Sequence, residues 1–454
     1  MADDEINQSS EKNPLTTTQG QGLRMSAPVI LVSCDSHISP LMSEMRRYCP
    51  QRYLRKFDDD ASKDRALGGS FEGDFSIPTI FCMEKGSAAE QRAKETTEAK
   101  GNCNMSAQVE DMNRDGVAAS VIFHGAEDNG RIPLNARGLL PGMGLLPGMS
   151  GEDLAASAVG IHIYNQWLAD ACSAQPERHI GLAYIPCWDV EACVREAEWA
   201  RKAGLRGIHF PAHLNPRCPN YDDPVWEPFW STCESLGMPL VTHSGPGFEG
   251  SVNPRLLGPL IQLEGAAASR KSVPRLIFSG VFERHPSLKL VLTEAPGPWY
   301  PAMIREIDET YLIFKLNIAP KAPKLPSEYC ATNVFVGASF IAPYEAKTYI
   351  QGGYTRNVMW GSDYPHVEGT WEAYTDPSVP PTTRLSLRNS FAETGATEEQ
   401  IRLIVGENAI AVFGLDRAVL ARVAERIKAP TIAEILTPIK AIPETAGPYA
   451  FRHA

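Results

Sequence analysis

The sequence predicts a distorted (β/α)8 TIM barrel, an α/β fold, with an insertion after its first strand and a C-terminal extension. Three observations point there. Short apolar, β-branched runs begin near residues 28, 117, 179, 205, 238, 288, 333 and 357, which makes eight strands. Most are followed by a segment of helical periodicity. Several runs end in Asp, His or Glu, as strands do when the C-terminal mouth of a barrel holds a site. A doubly wound open sheet is the rival, but the Gly-rich phosphate fingerprint is missing after the first strand.

In chain order, residues 1–25 are polar without periodicity and are expected to be a disordered tail. The barrel is assigned to residues 26–415. Its first strand lies in PVILVSCDSHISP (28–40), where Asp35 and His37, two apart, point to the same side. Residues 40–105 are charged and irregular, and read as a partly helical capping insertion. The second strand runs from Val117 to Phe123. GLLPGM then occurs twice in tandem (138–143 and 144–149), and its Pro and Gly exclude a helix interior. Residues 151–175 carry Leu154, Val159, Ile163, Trp167 and Leu168 near helical spacing. The strand HIGLAYIP (179–186) follows, then a helix over 189–203 with Asp189 as N-cap. Residues 204–210 are a turn and a strand, and DDPVWEPFWSTCESLG is a helix that stops at Gly237. The strand ending at His243 leads to a Gly-rich loop and a helix over Ser272–Arg284. Strands Leu288–Glu294, Asn333–Gly337 and Asn357–Asp363 alternate with helices starting near Pro301, Ala346 and Glu398. Residues 416–454 form a helix (Ala418–Lys428) and a Pro-rich arm, expected to pack on a second subunit.

The formal net charge of −11 argues against nucleic-acid or acidic-membrane partners and says little about an active site, which can be locally basic. Ten scattered cysteines include no CxxC pair, so they read as reduced thiols of a cytoplasmic protein. The acidic N-terminus has no basic segment followed by an apolar core, and so is not read as a secretory signal. No run of about 18 apolar residues suggests a membrane span.

The strand ends carry the chemistry. Asp35 and His37 end strand 1, His209 and His213 follow strand 4, His243 ends strand 5, Glu294 strand 6 and Asp363 strand 8. The Asp35/His37 pair alone reads equally well as a hydrogen-bonded polar strand end. Five strand ends together favour a divalent metal site. Zinc is the first expectation and manganese the alternative, because both accept imidazole nitrogens and carboxylate oxygens and keep a position open.

The chain resembles the amidohydrolase-related superfamily (amidohydrolase 2), in the branch typified by aminocarboxymuconate-semialdehyde decarboxylase. The resemblance rests on CDSH (34–37), EDMNRDGVAASVIF (110–123), YNQWLADAC (164–172), GLRGIHFP (204–211), PLVTHSG (239–245), LIFSGVFERHPSLKLVLTEAPGPWYP (276–301), GSDYPHVEGTW (361–371) and GENAIAVFGL (406–415). It implies that Asp35, His37, His243 and Asp363 are metal ligands, and that Asp363 also shuttles protons. Two departures stand out. The first pair is Asp-x-His where many members have His-x-His or Glu-x-His. Glu294 stands where several decarboxylases carry a catalytic His, and a carboxylate there suits a general base, a further ligand or a salt-bridge partner.

The expected function is that of a metal-dependent lyase or hydrolase acting on a small, cyclic or aromatic organic acid. Non-oxidative decarboxylation comes first, with Asp363 and Glu294 catalytic. Hydrolysis of a C–N, C–O or C–C bond by metal-bound water is the second reading, and a non-catalytic scaffold the third. His209, His213 and His366 are expected to contact substrate. His366 and Glu368 are also placed to orient Asp363, and His124 to line the pocket. Trp299 and Trp371 are expected to pack, and Arg284 and His285 to be structural. A homodimer or higher homo-oligomer is expected.

Overall fold

Each apolar run marked as a strand forms one. The structure, a computed structural model, describes residues 27–66, 81, 83–126, 132–134, 151–211, 218–244, 256, 259–373, 380–447 and 449–452. The tail and the tandem GLLPGM repeat lie outside the described residues. The strands are β1 (Leu31–Ser33), β2 (His37–Ile38), β3 (Val117–His124), β4 (His179–Tyr184), β5 (Gly207–His209), β6 (Leu240–His243), β7 (Leu290–Thr293), β8 (Val334–Ser339) and β9 (Val358–Gly361). The expected first strand is thus split into β1 and the two-residue β2, with Cys34–Ser36 between them.

All strands pair in parallel, in the order β1-β3-β4-β5-β6-β7-β8-β9, with β2 also on β3. Three backbone links close the circle. Cys34 N–H donates to Trp360 O (3.0 Å), Asp363 N–H donates to Asp35 O (3.1 Å), and Ser36 bridges Tyr364 in parallel. The ring explains the apolar continuity of the strands: every residue of β3 is buried, as a parallel strand covered on both faces must be. Val32, Val121, Leu182, Val241, Val291 and Met359 form one apolar cluster. Their neighbours Ile122, Ala183, Leu240 and Leu290 belong to a second, with the surrounding helices.

The helix expected from Glu398 to Leu415 is interrupted. It runs as Glu398–Arg402, a wider turn at Leu403–Glu407, and Asn408–Phe413. The turn lies against β1 so closely that a Cβ on Gly406 would fall 1.9 Å from Ile30 O. The helix expected over 272–284 likewise divides, at Gly280. The helix Gly151–Cys172 stops three residues short of its expected end, and Asp189 caps Val190–Lys202 through Ala192 N–H (3.0 Å) as expected.

The insertion contains helices Met42–Met45, Leu54–Ala66 and Ala88–Thr97. Buried Arg92 on the last of these donates to the carbonyls of Val367 and Trp371, which fastens the insertion to the loop after β9. The arm, in its described part, packs on its own barrel. Tyr449 N–H donates to Glu368 O (3.3 Å), the Tyr449 ring stacks on Phe340, and Arg452 pairs with Glu345 at 2.6 Å. Among the described residues, no helix is long and apolar enough to cross a membrane.

Candidate metal centre

The site forms where the strands end. Asp35 sits in the break between β1 and β2, and His37 opens β2. His243 closes β6, Glu294 follows β7, and Asp363 follows β9 by two residues. Glu294 and Asp363 have φ of +49° and +55°, a left-handed turn that side chains rarely adopt and that recurs at functional positions. β9 needs a glycine beside Asp35, since a Cβ on Gly361 would lie 2.8 Å from Asp35 Cβ.

Four donor atoms converge. His37 Nε2 lies 3.2 Å from His243 Nε2, 3.2 Å from Asp35 Oδ1 and 3.4 Å from Asp363 Oδ1. His243 Nε2 lies 3.4 Å from Asp35 Oδ1. Bonds of about 2.0–2.1 Å at tetrahedral angles put ligand atoms roughly 3.3 Å apart, so the spacings among Asp35, His37 and His243 match those around a single ion, while Asp363 groups with His37 and His366 at its edge. All four side chains are buried, and Asp35 Oδ1 and Asp363 Oδ2 make no hydrogen bond. Asp35 Oδ1, buried and unsatisfied, faces both imidazole nitrogens, and such an oxygen fits a divalent cation.

The surroundings fix the ligand atoms. His37 Nδ1 meets His124 O (3.2 Å) and His243 Nδ1 meets Ser244 O (2.6 Å). A carbonyl accepts only from N–H, so each imidazole has a proton on Nδ1 and presents Nε2 to the cluster. Ser339 Oγ donates to Asp35 Oδ2 (2.5 Å). His366 Nδ1 contacts Asp363 Oδ1 and its Nε2 contacts Gly125 O, both at 2.8 Å, while its ring lies 4.1 Å from that of His37.

Electrostatics follow the same arrangement. Burial opposes charge on Asp35, but His243 and His37 overcome it and hold the carboxyl far below its ordinary value. Burial would lower His243, yet Asp35, Glu294 and the Ser244 carbonyl raise it to about 9. The cluster thus favours positive charge at this point, which a divalent ion supplies. Burial, with the Asp363 and Asp35 charges, raises Glu294 to about 7, against the pull of His243 and Ser244. Ser244 Oγ donates to Glu294 Oε2, and His243 Nδ1 lies 3.4 Å from the same oxygen.

Other expected residues fall at varying distances from this cluster. His209 ends β5, buried, its ring 4.4 Å from Tyr184 and 5.1 Å from Phe123. His213 lies outside the described residues. Glu368 joins Glu294 and Asp363 in a group whose oxygens lie within 4.8 Å of one another. Trp299 packs under Arg270 and donates to Ala295 O, and Trp371 packs on Tyr364. Arg284 and His285 bind Glu227 and Glu234 in a separate network, as a structural reading requires. Ser339, Ser244 and Gly361 escaped sequence reasoning. A small polar residue closing a strand in NVFVGAS was the available signal for Ser339.

The profile of the family described as Amidohydrolase matches residues 135–415, well over half of the chain. The chain is 27% identical over 258 residues to a gamma-resorcylate decarboxylase of Rhodococcus jostii, covering 51% of this chain and 74% of that protein. It is 27% identical over 254 residues to a 2-amino-3-carboxymuconate-6-semialdehyde decarboxylase of Dictyostelium discoideum, covering 56% of this chain and 66% of that protein. Among solved structures, a 5-carboxyvanillate decarboxylase of Novosphingobium aromaticivorans with bound manganese superposes with a TM-score of 0.58 at 18% identity, over 86% of this chain and 98% of that one. This last likeness is one of fold: both chains are (β/α)8 barrels.

Proposed function

The chain belongs to the amidohydrolase family, and from that premise we propose that it is a metal-dependent carboxy-lyase that removes carbon dioxide non-oxidatively from a small aromatic acid. The convergence of Asp35, His37 and His243 at ligand spacing, with Asp363 Oδ1 3.4 Å from His37 Nε2, carries the reading. The decarboxylases among its relatives support the choice of reaction. These four residues would hold the ion, which when bound polarises and anchors the acid.

The chain's own groups supply the proton. Glu294, buried and raised to about 7, is the acid. It gives its proton to the ring carbon that bears the carboxylate. The carbon–carbon bond then breaks, its electron pair stays in the ring, carbon dioxide leaves, and water reprotonates Glu294. His366 holds the Asp363 carboxylate in place through its 2.8 Å contact, and Ser244 holds that of Glu294. A hydrolase is the second reading. Glu294 favours it, because a carboxylate can accept a proton from water where a cationic imidazole cannot.

The ion is zinc by its affinity for two imidazoles at tetrahedral spacing, or manganese. The protein is cytoplasmic, in keeping with nine free cysteines among the described residues, and a homo-oligomer, which light scattering would check. The test of function is to incubate metal-loaded protein with hydroxybenzoates and, separately, with amides and lactones. Carbon dioxide release from the first group supports the lyase. Turnover of the second group alone rejects it. No bound metal and no effect of Asp363→Asn would sink both readings.

A further inference from the structure

Four polar rings form a box beside the metal centre. His124 ends β3, Tyr184 ends β4, His209 ends β5, and Tyr164 faces them from the helix Gly151–Cys172. Ring centroids are 5.0 Å apart for His124 and Tyr164, 5.5 Å for Tyr164 and Tyr184, and 4.4 Å for Tyr184 and His209. All four are at least nine-tenths buried. Both nitrogens of each imidazole and both phenol oxygens have no hydrogen-bond partner among the described residues.

An unsatisfied buried polar atom costs about 1–3 kcal/mol, and native folds carry only a few per hundred residues. Six of them on four touching side chains are not ordinary packing. The box shares a wall with the metal centre. Phe123 lies 5.1 Å from His209 on one side, and 4.8 Å from His243 and 5.6 Å from His37 on the other. Among the described residues, the box has neither a carboxylate nor a Lys or Arg. Phenols and imidazoles offer donors and acceptors together, so the matching guest both donates and accepts and has no charge of its own.

We propose that this box binds a neutral hydroxyl substituent on the substrate's ring, remote from the carboxylate held at the metal centre. Tyr164, Tyr184, His124 and His209 are then specificity-determining residues. The proposal rests on the carboxy-lyase reading and deepens it by naming the substituent. It excludes a second carboxylate, which would enter the box without a counter-charge.

The test uses manganese-loaded, full-length protein and 2-hydroxybenzoate as reference ligand, titrated beside its 3-, 4- and 5-hydroxy derivatives. One derivative is expected to bind about five- to tenfold tighter than the reference, the worth of one neutral hydrogen-bonded group. In Tyr164→Phe and Tyr184→Phe that ratio should collapse towards one. A carboxylate at the same ring position should weaken binding. The proposal is overturned if no derivative is favoured, or if the ratio survives in both variants. If none of these acids binds, the carboxy-lyase reading is what fails, and phenol alone becomes the probe by saturation-transfer NMR. A phenol signal lost in the Tyr164→Phe/Tyr184→Phe double variant then upholds the box, and no signal in the unaltered protein overturns it. Melting temperature guards against a structural effect. Among the described residues, neither substitution removes a protein hydrogen bond, so the variants should melt at or above the starting temperature. A drop of several degrees in both would mean the hydroxyls hold buried water, and would overturn the proposal.

Discussion

Replacing Glu294 by Gln separates the proton donor from the rest of the centre. Burial and the carboxylates of Asp363 and Asp35 raise Glu294 to about 7. A bound cation adds positive charge beside it and draws that value down. An acid works only while protonated, so the rate should fall as pH rises, about tenfold per pH unit beyond a break at or below pH 7. Gln keeps the shape and still accepts the Ser244 hydroxyl, yet it has no proton to give at any pH. General acid catalysis contributes about 10²–10⁴-fold, so Glu294→Gln should lose that much kcat, roughly 3–5 kcal/mol of barrier, and the pH break should vanish. The assay is carbon dioxide release from a hydroxybenzoate between pH 5 and 9, with metal content measured on the same samples. A variant within about threefold of the parent kcat, or one that keeps the break, would refute the assignment and move the acid to Asp363.

Three further outcomes follow from the arrangement of these side chains. His243→Ala removes one of four converging donors, so dialysed protein should keep less than about a tenth of its metal by elemental analysis; full retention would exclude His243 as a ligand. Ser339→Ala strips the hydroxyl from Asp35 Oδ2 and should weaken metal affinity about 10–100-fold, which a competition titration with a chelator would read. Asp115, buried and bonded to Thr383 Oγ1 (2.5 Å), is raised to about 7 by burial. Its folded form therefore holds a proton that the unfolded chain has already released above about pH 4. Stability from this residue is lost as pH rises from about 4 to 7, by about 4 kcal/mol in all. In Asp115→Asn, urea unfolding should lose that slope, and an unchanged slope would reject the assignment.

The sequence made the barrel legible because a parallel strand buried on both faces needs an unbroken apolar run, and such runs stand out at 117–123, 179–184 and 288–293. It also offered Asp35, His37, His243 and Asp363, because each closes or directly follows a run. The split between β1 and β2 was hidden: Cys34–Ser36 read as strand in any local pattern, and only the links to Trp360 and Tyr364 across the barrel decide their course. Ser339 and Ser244 were hidden for another reason. A serine is compatible with almost any environment, and its role appears only when the carboxylate it donates to is in place. The orphaned rings of Tyr164 and Tyr184 were also out of reach, since a tyrosine on a helix and another at a strand end have no sequence relation that would join them.

The centre is positioned by two different means. On the side of β2 and β6, hydrogen bonds do the work: the carbonyls of His124 and Ser244 hold Nδ1 of His37 and His243, and Ser339 holds Asp35. On the side of β7 to β9 the backbone adds to the hydrogen bonds of Ser244 and His366. The residues after three consecutive strands, Glu294, Phe340 and Asp363, lie at or just beyond the strand ends with φ of +49°, +42° and +55°. None is glycine, so each conformation costs about 1–3 kcal/mol. Phe340 shows how that strain is offset, because the arm packs Tyr449 on its ring and Arg452 donates to its carbonyl. Tyr449 also donates its N–H to Glu368. The C-terminal arm therefore supports the strained strand end that lies, in strand order, between those of Glu294 and Asp363.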